Sequence, residues 1–392
     1  MENIVIVAAK RNPFGKFGGS LKDVNATDLA LQASQACLSQ SGLKPEDIDH
    51  IVLGNVVQSA SDAIYTPRHL GLKLGVPQNV PALGVARLCG SGFQAWITAM
   101  QMMQTGEAKV ILSGGVEQMS QIPYVLRSAR WGQKMGGTEV EDYLTAALVD
   151  QYTNTPMAIT AENLAVKYKI SRDEVDAYAL QSQMRYQAAL KEGKFATEIS
   201  PITVQTRKGE LSVENDEHPK GDVSLEGLKK LPAIFKKDGV VTAGNASGIV
   251  DGAAMSILMT ETEAKARGLK PLAKIRSYAS VGCDPTIMGI GPVGAIKNAL
   301  TKAKLSLNDM DLIEVNEAFS AQYLAVQKEL NLDNNKTNVN GGAIAVGHPL
   351  GASGTRIMNH LIYELHRRKK SLAIGSACIG GGQGIAIVIE AM

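Results

Sequence analysis

Two cysteines, a histidine and an asparagine stand out, each in a stretch where small residues leave room for a ligand. Cys89 heads Cys89-Gly90-Ser91-Gly92, and His348 lies in Gly347-His348-Pro349, shortly after Gly341-Gly342. Cys378 opens Cys378-Ile379-Gly380-Gly381-Gly382, and Asn316 opens Asn316-Glu317-Ala318-Phe319. Glycine lets a backbone come close to a ligand because it has no Cβ. Two thiols, an imidazole and an amide suit acyl transfer through a cysteine thioester, with histidine taking the thiol proton.

Each residue also has a plainer reading. Cys89 precedes a predicted helix, whose free N–H groups and dipole lower a thiol pKa. The alternative is a buried structural thiol, the reading given to Cys37. The glycines after Cys378 offer bare N–H groups, the parts of an oxyanion hole. The alternative there is a tight hairpin over a buried thiol. Asn316 and Glu317 follow the strand-like residues 312–315 and are read either as site residues or as helix caps. The other histidines (His50, His69, His218, His360, His366) read as structural, in polar or helical-surface contexts.

The elements that must position these loops come in two copies. Residues 42–52 lie over 304–314 at an offset of 262. At the same offset Gly90-Ser91-Gly92 lies over Ala352-Ser353-Gly354, and Val110-Ile111-Leu112 over Leu372-Ala373-Ile374. A repeat at one gapless offset marks a duplicated unit. It also places Cys89 over Gly351, so the shared scaffold does not require a cysteine, and it puts His348 three residues before that point. Related loops could therefore bring Cys89 and His348 to one cleft.

Each copy reads as alternating helices and strands, an α/β pattern. Thr27 is expected to cap a helix that carries Leu29, Ala33, Ala36 and Leu38 inward and ends at Gly42. A helix after Gly92 places Phe93, Trp96, Ile97, Met100 and Met103 on one face, which reads as core. The second copy passes from its last matched strand to Ile385-Ala386-Ile387-Val388-Ile389 by a short glycine-rich turn. In the first copy the equivalent strand, Ala254-Met255-Ser256-Ile257-Leu258, comes about 130 residues later. Residues 118–250 are thus an insertion at a hairpin-like connection, with amphipathic helices at 161–168 and 172–191 and a loop-rich later part. The expected domains are 1–117 with 251–270, the insertion 118–250, and 271–392.

Composition bounds the rest. Apolar residues make up 45% of the 392 and charged residues 20%, ordinary for a soluble globular chain. A net charge of +2 gives no field for nucleic acid or a membrane surface, and neither is expected as a partner. Residues 191–237 are rich in Lys and Arg (Arg207, Lys208, Lys220, Lys229, Lys230, Lys236, Lys237) but nearly as rich in acids. Four cysteines without paired spacing argue against a zinc site or disulfide framework and fit a reducing compartment. No metal is expected, and no apolar run is long enough for a membrane helix.

Together these motifs closely resemble the thiolase family, and the resemblance covers essentially the whole chain, including the duplication and the insertion. It implies a five-layered αβαβα fold, coenzyme A thioesters such as acetyl-CoA as substrates with no permanently bound cofactor, and a homotetramer built as a dimer of dimers. Carried over, Cys89 is the acylated nucleophile and His348 activates it. Cys378 moves the proton of the reacting acetyl group. Asn316 holds a water that, with His348, stabilises an enolate oxygen. The N–H groups of Cys89 and Gly380 form a second oxyanion hole.

The resemblance also implies that residues 243–248 bind pantetheine, with Ser247 the polar contact and Ala243, Ala246 and Gly248 beside it. Met157, Phe235, Ala318 and Phe319 would line the tunnel. Lys220 stands where many members have Arg, and Pro156 where many biosynthetic members have His. Thr155-Pro156-Met157 and residues 87–94 look more like mitochondrial-type 3-ketoacyl-CoA thiolases of fatty acid metabolism. The alternatives are a dedicated acetoacetyl-CoA synthase, a hydroxymethylglutaryl-CoA-type condensing enzyme, and a non-catalytic lipid- or CoA-binding protein. The expected location is the cytoplasm for a bacterial protein, or the mitochondrial matrix for a eukaryotic one.

Overall fold

The computed structural model describes residues 2–207 and 209–392; Met1 and Lys208, the latter part of the basic stretch, lie outside the described residues. The first copy runs β1 (Ile4–Arg11), α1 (Ala26–Ser41), β2 (His50–Gly54), α2 (Thr66–Leu74), β3 (Ala82–Val85), α3 (Ser91–Gln104) and β4 (Val110–Glu117). The insertion contributes α4 (Met157–Tyr168) and α5 (Arg172–Lys191) before β5 (Val250–Thr260). The second copy runs β6 (Ala273–Gly282), α6 (Gly291–Ala303), β7 (Leu312–Val315), α7 (Ser320–Leu330), α8 (Leu350–Arg368), β8 (Leu372–Ile379) and β9 (Gln383–Ala391).

The duplication is visible in the strand register. β2 pairs parallel with β4, His50 opposite Ile111, and β7 pairs parallel with β8, Leu312 opposite Ala373. Both members of the second pair sit 262 residues after those of the first. β4 then pairs antiparallel with β5, as β8 does with β9. The insertion leaves between β4 and β5, where the second copy has only the turn 380–382. The full path is β7-β8-β9-β6-β1-β5-β4-β2-β3, the two halves joined through β1 and β6.

Strand alternation sorts the side chains into three cores. Ile385, Ile387 and Ile389 of β9 join one cluster, while Ala386 and Val388 face another. In β1, Ile4 and Ile6 face the first cluster and Val5 and Val7 a third. Both faces of these strands are covered, so they read as continuous apolar runs. The first cluster holds α3 and α8 between the two halves. α1 and α2 cover the outer face of the first half, and α6 covers that of the second. Helices outside, sheets beneath and helices between make the five layers αβαβα.

The central helices cross at glycines the repeat equates. A Cβ on Gly92 would lie 2.6 Å from Thr355 N, and one on Gly354 would lie 2.4 Å from Phe93 N. Gly115 is tighter still, its Cβ position 1.9 Å from Gly351 O. Overpacking commonly costs roughly 1–3 kcal/mol. Gly115→Ala is therefore expected at the upper end of that range, read as a lower midpoint in denaturant unfolding; an unchanged midpoint would show that the β4 and α8 ends need not touch.

Some local readings need correction. Asn25, not Thr27, caps α1: its side chain accepts from the Asp28 N–H, and Thr27 lies buried inside the helix. Gly42 ends the helix as expected, at φ 73°. The later part of the insertion holds a hairpin (Ile202–Thr206 with Gly209–Val213) and a short helix (Leu225–Lys229) as well as loops. Buried Arg11 ties β1 to the insertion, at 2.9 Å to Glu198 and 2.6 Å to Asp216. His360 is buried in a polar setting against Glu198, one of the two expected contexts, whereas His50 is buried in β2.

Candidate active site

Cys89 sits in a single 3₁₀ turn, Leu88–Gly90, that leads into α3. The Ser91 hydroxyl donates to Leu88 O at 2.7 Å and accepts from Arg87 N at 2.9 Å, which fixes the turn. Cys89 packs against an apolar cluster made of Val57, Met119, Ile122, Leu144 and Leu350. Burial there pushes its thiol up to about 11. The backbone N–H groups of Gly380 and of Cys89 itself pull the other way, and Glu117 adds to the rise. The expected lowering by the helix terminus is therefore overturned: apolar packing outweighs the dipole in the free protein.

Cys378 ends β8 in full burial, and Gly380-Gly381-Gly382 form the turn to β9, with Gly381 at φ 78° and Gly382 at φ 82°. The segment is a tight hairpin over a buried thiol, and its Gly380 backbone acts on Cys89, lowering that thiol's pKa. Burial raises the Cys378 thiol well above its ordinary value, and nearby Cys89 and Cys283 raise it further. Cys378 forms an apolar cluster with Met288 and Ala318, against which Met157 and Phe319 pack. A Cβ on Gly380 would touch Met157 Sδ at 3.2 Å and Leu88 Cδ1 at 3.4 Å, so the two cysteine loops meet there.

His348 is buried and kept neutral, burial lowering its pKa to about 3 with help from Arg356. Its Nδ1 is 2.6 Å from Ser353 Oγ, and that hydroxyl donates to Pro349 O at 2.9 Å. A hydroxyl has one proton, so Nδ1 carries the ring proton and Nε2 presents its lone pair. Asn316 Nδ2 lies 3.4 Å from Nε2, a long contact, and Asn316 Oδ1 has no protein partner. The helix-cap reading of Asn316 and Glu317 falls away, because the cap position of α7 belongs to Phe319.

Residues 243–248 are laced to these loops. Ser247 N donates to Ala318 O at 3.0 Å, Ser320 N to Asn245 O at 2.8 Å, and His348 N to Gly248 O at 2.9 Å. Ala246 bridges to Phe319. A cavity of about 180 Å³ opens beside this segment, lined by Lys220, Ala243, Gly244, Ser224, Leu228 and His218 among others. Phe235 is apart from this: it is 46% exposed and belongs to neither apolar cluster around the cysteines.

The match of the family models settles the relationship. The model "Thiolase, N-terminal domain" matches residues 4–262, and "Thiolase, C-terminal domain" matches 269–391.

The chain belongs to the thiolase family.

This thiolase is 56% identical over 391 residues to the human mitochondrial 3-ketoacyl-CoA thiolase, covering 100% of this chain and 98% of that protein. It is 47% identical over 389 residues to the acetyl-CoA acetyltransferase of Chromobacterium violaceum, covering 99% of each. The crystal structure of the human mitochondrial enzyme in complex with CoA superposes with a TM-score of 0.97 at 55% identity, covering 100% of this chain and 98% of that one. The thiolase described here is an acyltransferase acting by thiolytic, CoA-dependent cleavage and condensation.

Three neighbours of the site escaped the sequence reading. Ser353 fixes the His348 tautomer and lies at the repeat equivalent of Ser91, so the duplication could have pointed to it. His218, read only as structural, lines the cavity with Lys220, its Nδ1 2.7 Å from Ala345 O. Glu117 had no motif to reveal it.

Proposed function

We propose that this thiolase cleaves 3-oxoacyl-CoA to acetyl-CoA and a shortened acyl-CoA, and runs the reverse condensation, through an acyl group on Cys89. One observation carries the reading: the glycine turn after Cys378 meets the Cys89 loop, with Gly380 against Leu88 and Met157, and the neutral Cys378 thiol is close to Cys89.

In cleavage, Cys89 gives its proton to His348 Nε2 and its sulfur attacks the 3-oxo carbon. The Gly380 and Cys89 N–H groups stabilise the oxyanion. As the C2–C3 bond breaks, its electron pair passes to the acetyl-CoA enolate, whose oxygen is stabilised by His348 and a water on Asn316. Cys378 donates its proton to C2. The Cys378 thiolate then takes the proton of CoA, whose sulfur attacks the acyl group, and Cys89 leaves and recovers its proton from His348. A Cys378 thiol raised by burial is held in the donor form the first half needs.

Ser247, Ala243, Ala246 and Gly248 hold the pantetheine arm, and Lys220 binds beyond it at the cavity it lines. Met157, Ala318 and Phe319 wall the acyl end near Cys378; Phe235 would contribute only by covering the outer arm. No resident cofactor or metal enters this scheme. Exposed Trp131 (88%) and Met135 on the insertion, with the free edge of β3, support assembly as a dimer of dimers. In a bacterium the enzyme acts in the cytoplasm, and in a eukaryote in the mitochondrial matrix. The domain division given above is kept, the insertion carrying the CoA-binding and oligomerisation surfaces.

The chain-length class follows from residue 156. Pro156 caps α4 at φ −58°, and Met157 begins the helix against the Cys378 cluster. Proline lacks the ring nitrogens a histidine would offer there, so this wall is apolar. Each added methylene buried in such a pocket contributes up to ~0.8 kcal/mol. Thiolysis of 3-oxoacyl-CoA from four to ten carbons is expected to give specificity constants for longer chains equal to or above that for acetoacetyl-CoA. A collapse beyond four carbons would instead identify an acetoacetyl-CoA synthase.

A further inference from the structure

The His348 loop is held at each end by a buried carboxylate. Glu317 Oε2 accepts the Ile344 N–H at 3.1 Å, four residues before His348. Glu117 Oε2 accepts the Gly351 N–H at 2.8 Å, three residues after it. Both side chains are fully buried, and they come from different halves, Glu317 from the end of β7 and Glu117 from the end of β4.

Each carboxylate collects further donors from distant segments. Glu317 accepts from the Tyr178 hydroxyl (2.7 Å) and the Ser182 hydroxyl (2.7 Å) of α5, and from Asn338 Nδ2 (3.0 Å). Glu117 accepts from Val57 N (3.0 Å), Val56 N (3.2 Å) and Asn55 Nδ2 (3.1 Å). All of these partners are neutral. Burying a carboxylate is costly unless hydrogen bonds replace its water, and four donors match its four acceptor sites. A glutamine could not fill the same place, because its NH₂ would face one of the N–H donors.

Glu117 has a second link to the chemistry. The Val57 whose N–H it holds, and Leu350 next to Gly351, belong to the apolar cluster on which Cys89 packs.

We propose that Glu117 and Glu317 are paired positioning residues that fix the His348 loop at its two ends, and that Glu117 also holds the wall behind Cys89. The proposal rests on the roles given above to Cys89 and His348. Aligned catalytic groups lose about 10²-fold for a displacement near 1 Å, so the effect should fall on turnover. Glu117 further leaves a field at Cys89 that opposes thiolate formation. Cys378 on β8 is a further titratable group close to Cys89.

The test compares wild type, E117Q, E117D and E317Q, each first checked for folding by thermal unfolding. For each, kcat and KM for CoA are measured, with the pH profile of Cys89 alkylation by iodoacetamide followed by peptide mass. E117Q and E317Q are expected to lose ~10–10²-fold in kcat with KM within about threefold. In E117Q the alkylation midpoint should move to lower pH, because the charge Glu117 carries above its own pKa, which burial raises to about 7, is gone. In E317Q it should stay. E117D keeps the charge but is too short to span Val57 and Gly351, so its midpoint should stay while kcat falls.

Wild-type kcat in E117Q and E317Q would overturn the proposal, and a wild-type kcat in E117Q alone would overturn the part given to Glu117. If E117Q does not fold, E117D decides by the same criterion: a wild-type kcat overturns the assignment. Acylation of wild type on Cys89 is run alongside. Its absence would bring down the underlying mechanism, whereas its presence with unaffected variants would remove only the bracket.

Discussion

Replacing Cys378 by alanine is expected to slow carbon–carbon cleavage and condensation by ~10²-fold or more, the usual scale of an acid–base group, while Cys89 still takes up an acyl group. The split follows from where the two thiols lie. Cys89 has the Gly380 N–H, its own N–H and its place at the start of α3, none of which Cys378 supplies. Cys378 sits in the apolar cluster with Met288 and Ala318, where its raised pKa keeps the proton that C2 must receive. Acyl exchange between labelled acyl-CoA and Cys89 and steady-state thiolysis should be measured on the same preparation. Near-normal thiolysis in Cys378→Ala would take the proton-transfer role away from Cys378.

Replacing Cys89 by alanine should cost more, because it removes the covalent intermediate itself. Loss of a nucleophile that acts as one unit with its base commonly costs at least ~10³-fold in kcat. Both half-reactions should fail together, in contrast to Cys378→Ala, and acyl exchange should vanish with thiolysis. CoA binding should survive, since residues 243–248 are held by Ala318, Phe319 and His348 rather than by Cys89. Calorimetric titration with CoA beside the kinetics checks this. Retained acyl exchange in Cys89→Ala would place the acyl group elsewhere.

Much of the site was legible because the chemistry lies in glycine-flanked loops and the duplication showed which loops are equivalent. The offset of 262 equates the residues that the structure pairs as parallel strands and crosses at Gly92 and Gly354, without itself giving the pairing or the crossing. What stayed hidden depends on contacts between distant segments. The thiol pKa of Cys89 is raised mainly by burial, and the cluster on which it packs, with Val57, Met119, Leu144 and Leu350, is one that no local window joins. Glu117 sits in an unremarked strand end, and its donors come from residues 55–57 and 351. The start of α1 was a local signal misread: Asn25, three residues before Asp28, offers a better cap than Thr27. The resemblance puts Phe235 in the tunnel, but the side chain is half-exposed and lies outside both apolar clusters around the cysteines.

The identity of the acylated residue decides the central claim most directly. The protein is mixed with acetyl-CoA or acetoacetyl-CoA, quenched in acid within the first turnovers, and digested, and the acetyl mass is located by peptide. The expected result is one acetyl group on Cys89, lost when CoA is added before the quench. An acetyl group on Cys378 with none on Cys89 would contradict the account and exchange the roles of the two thiols.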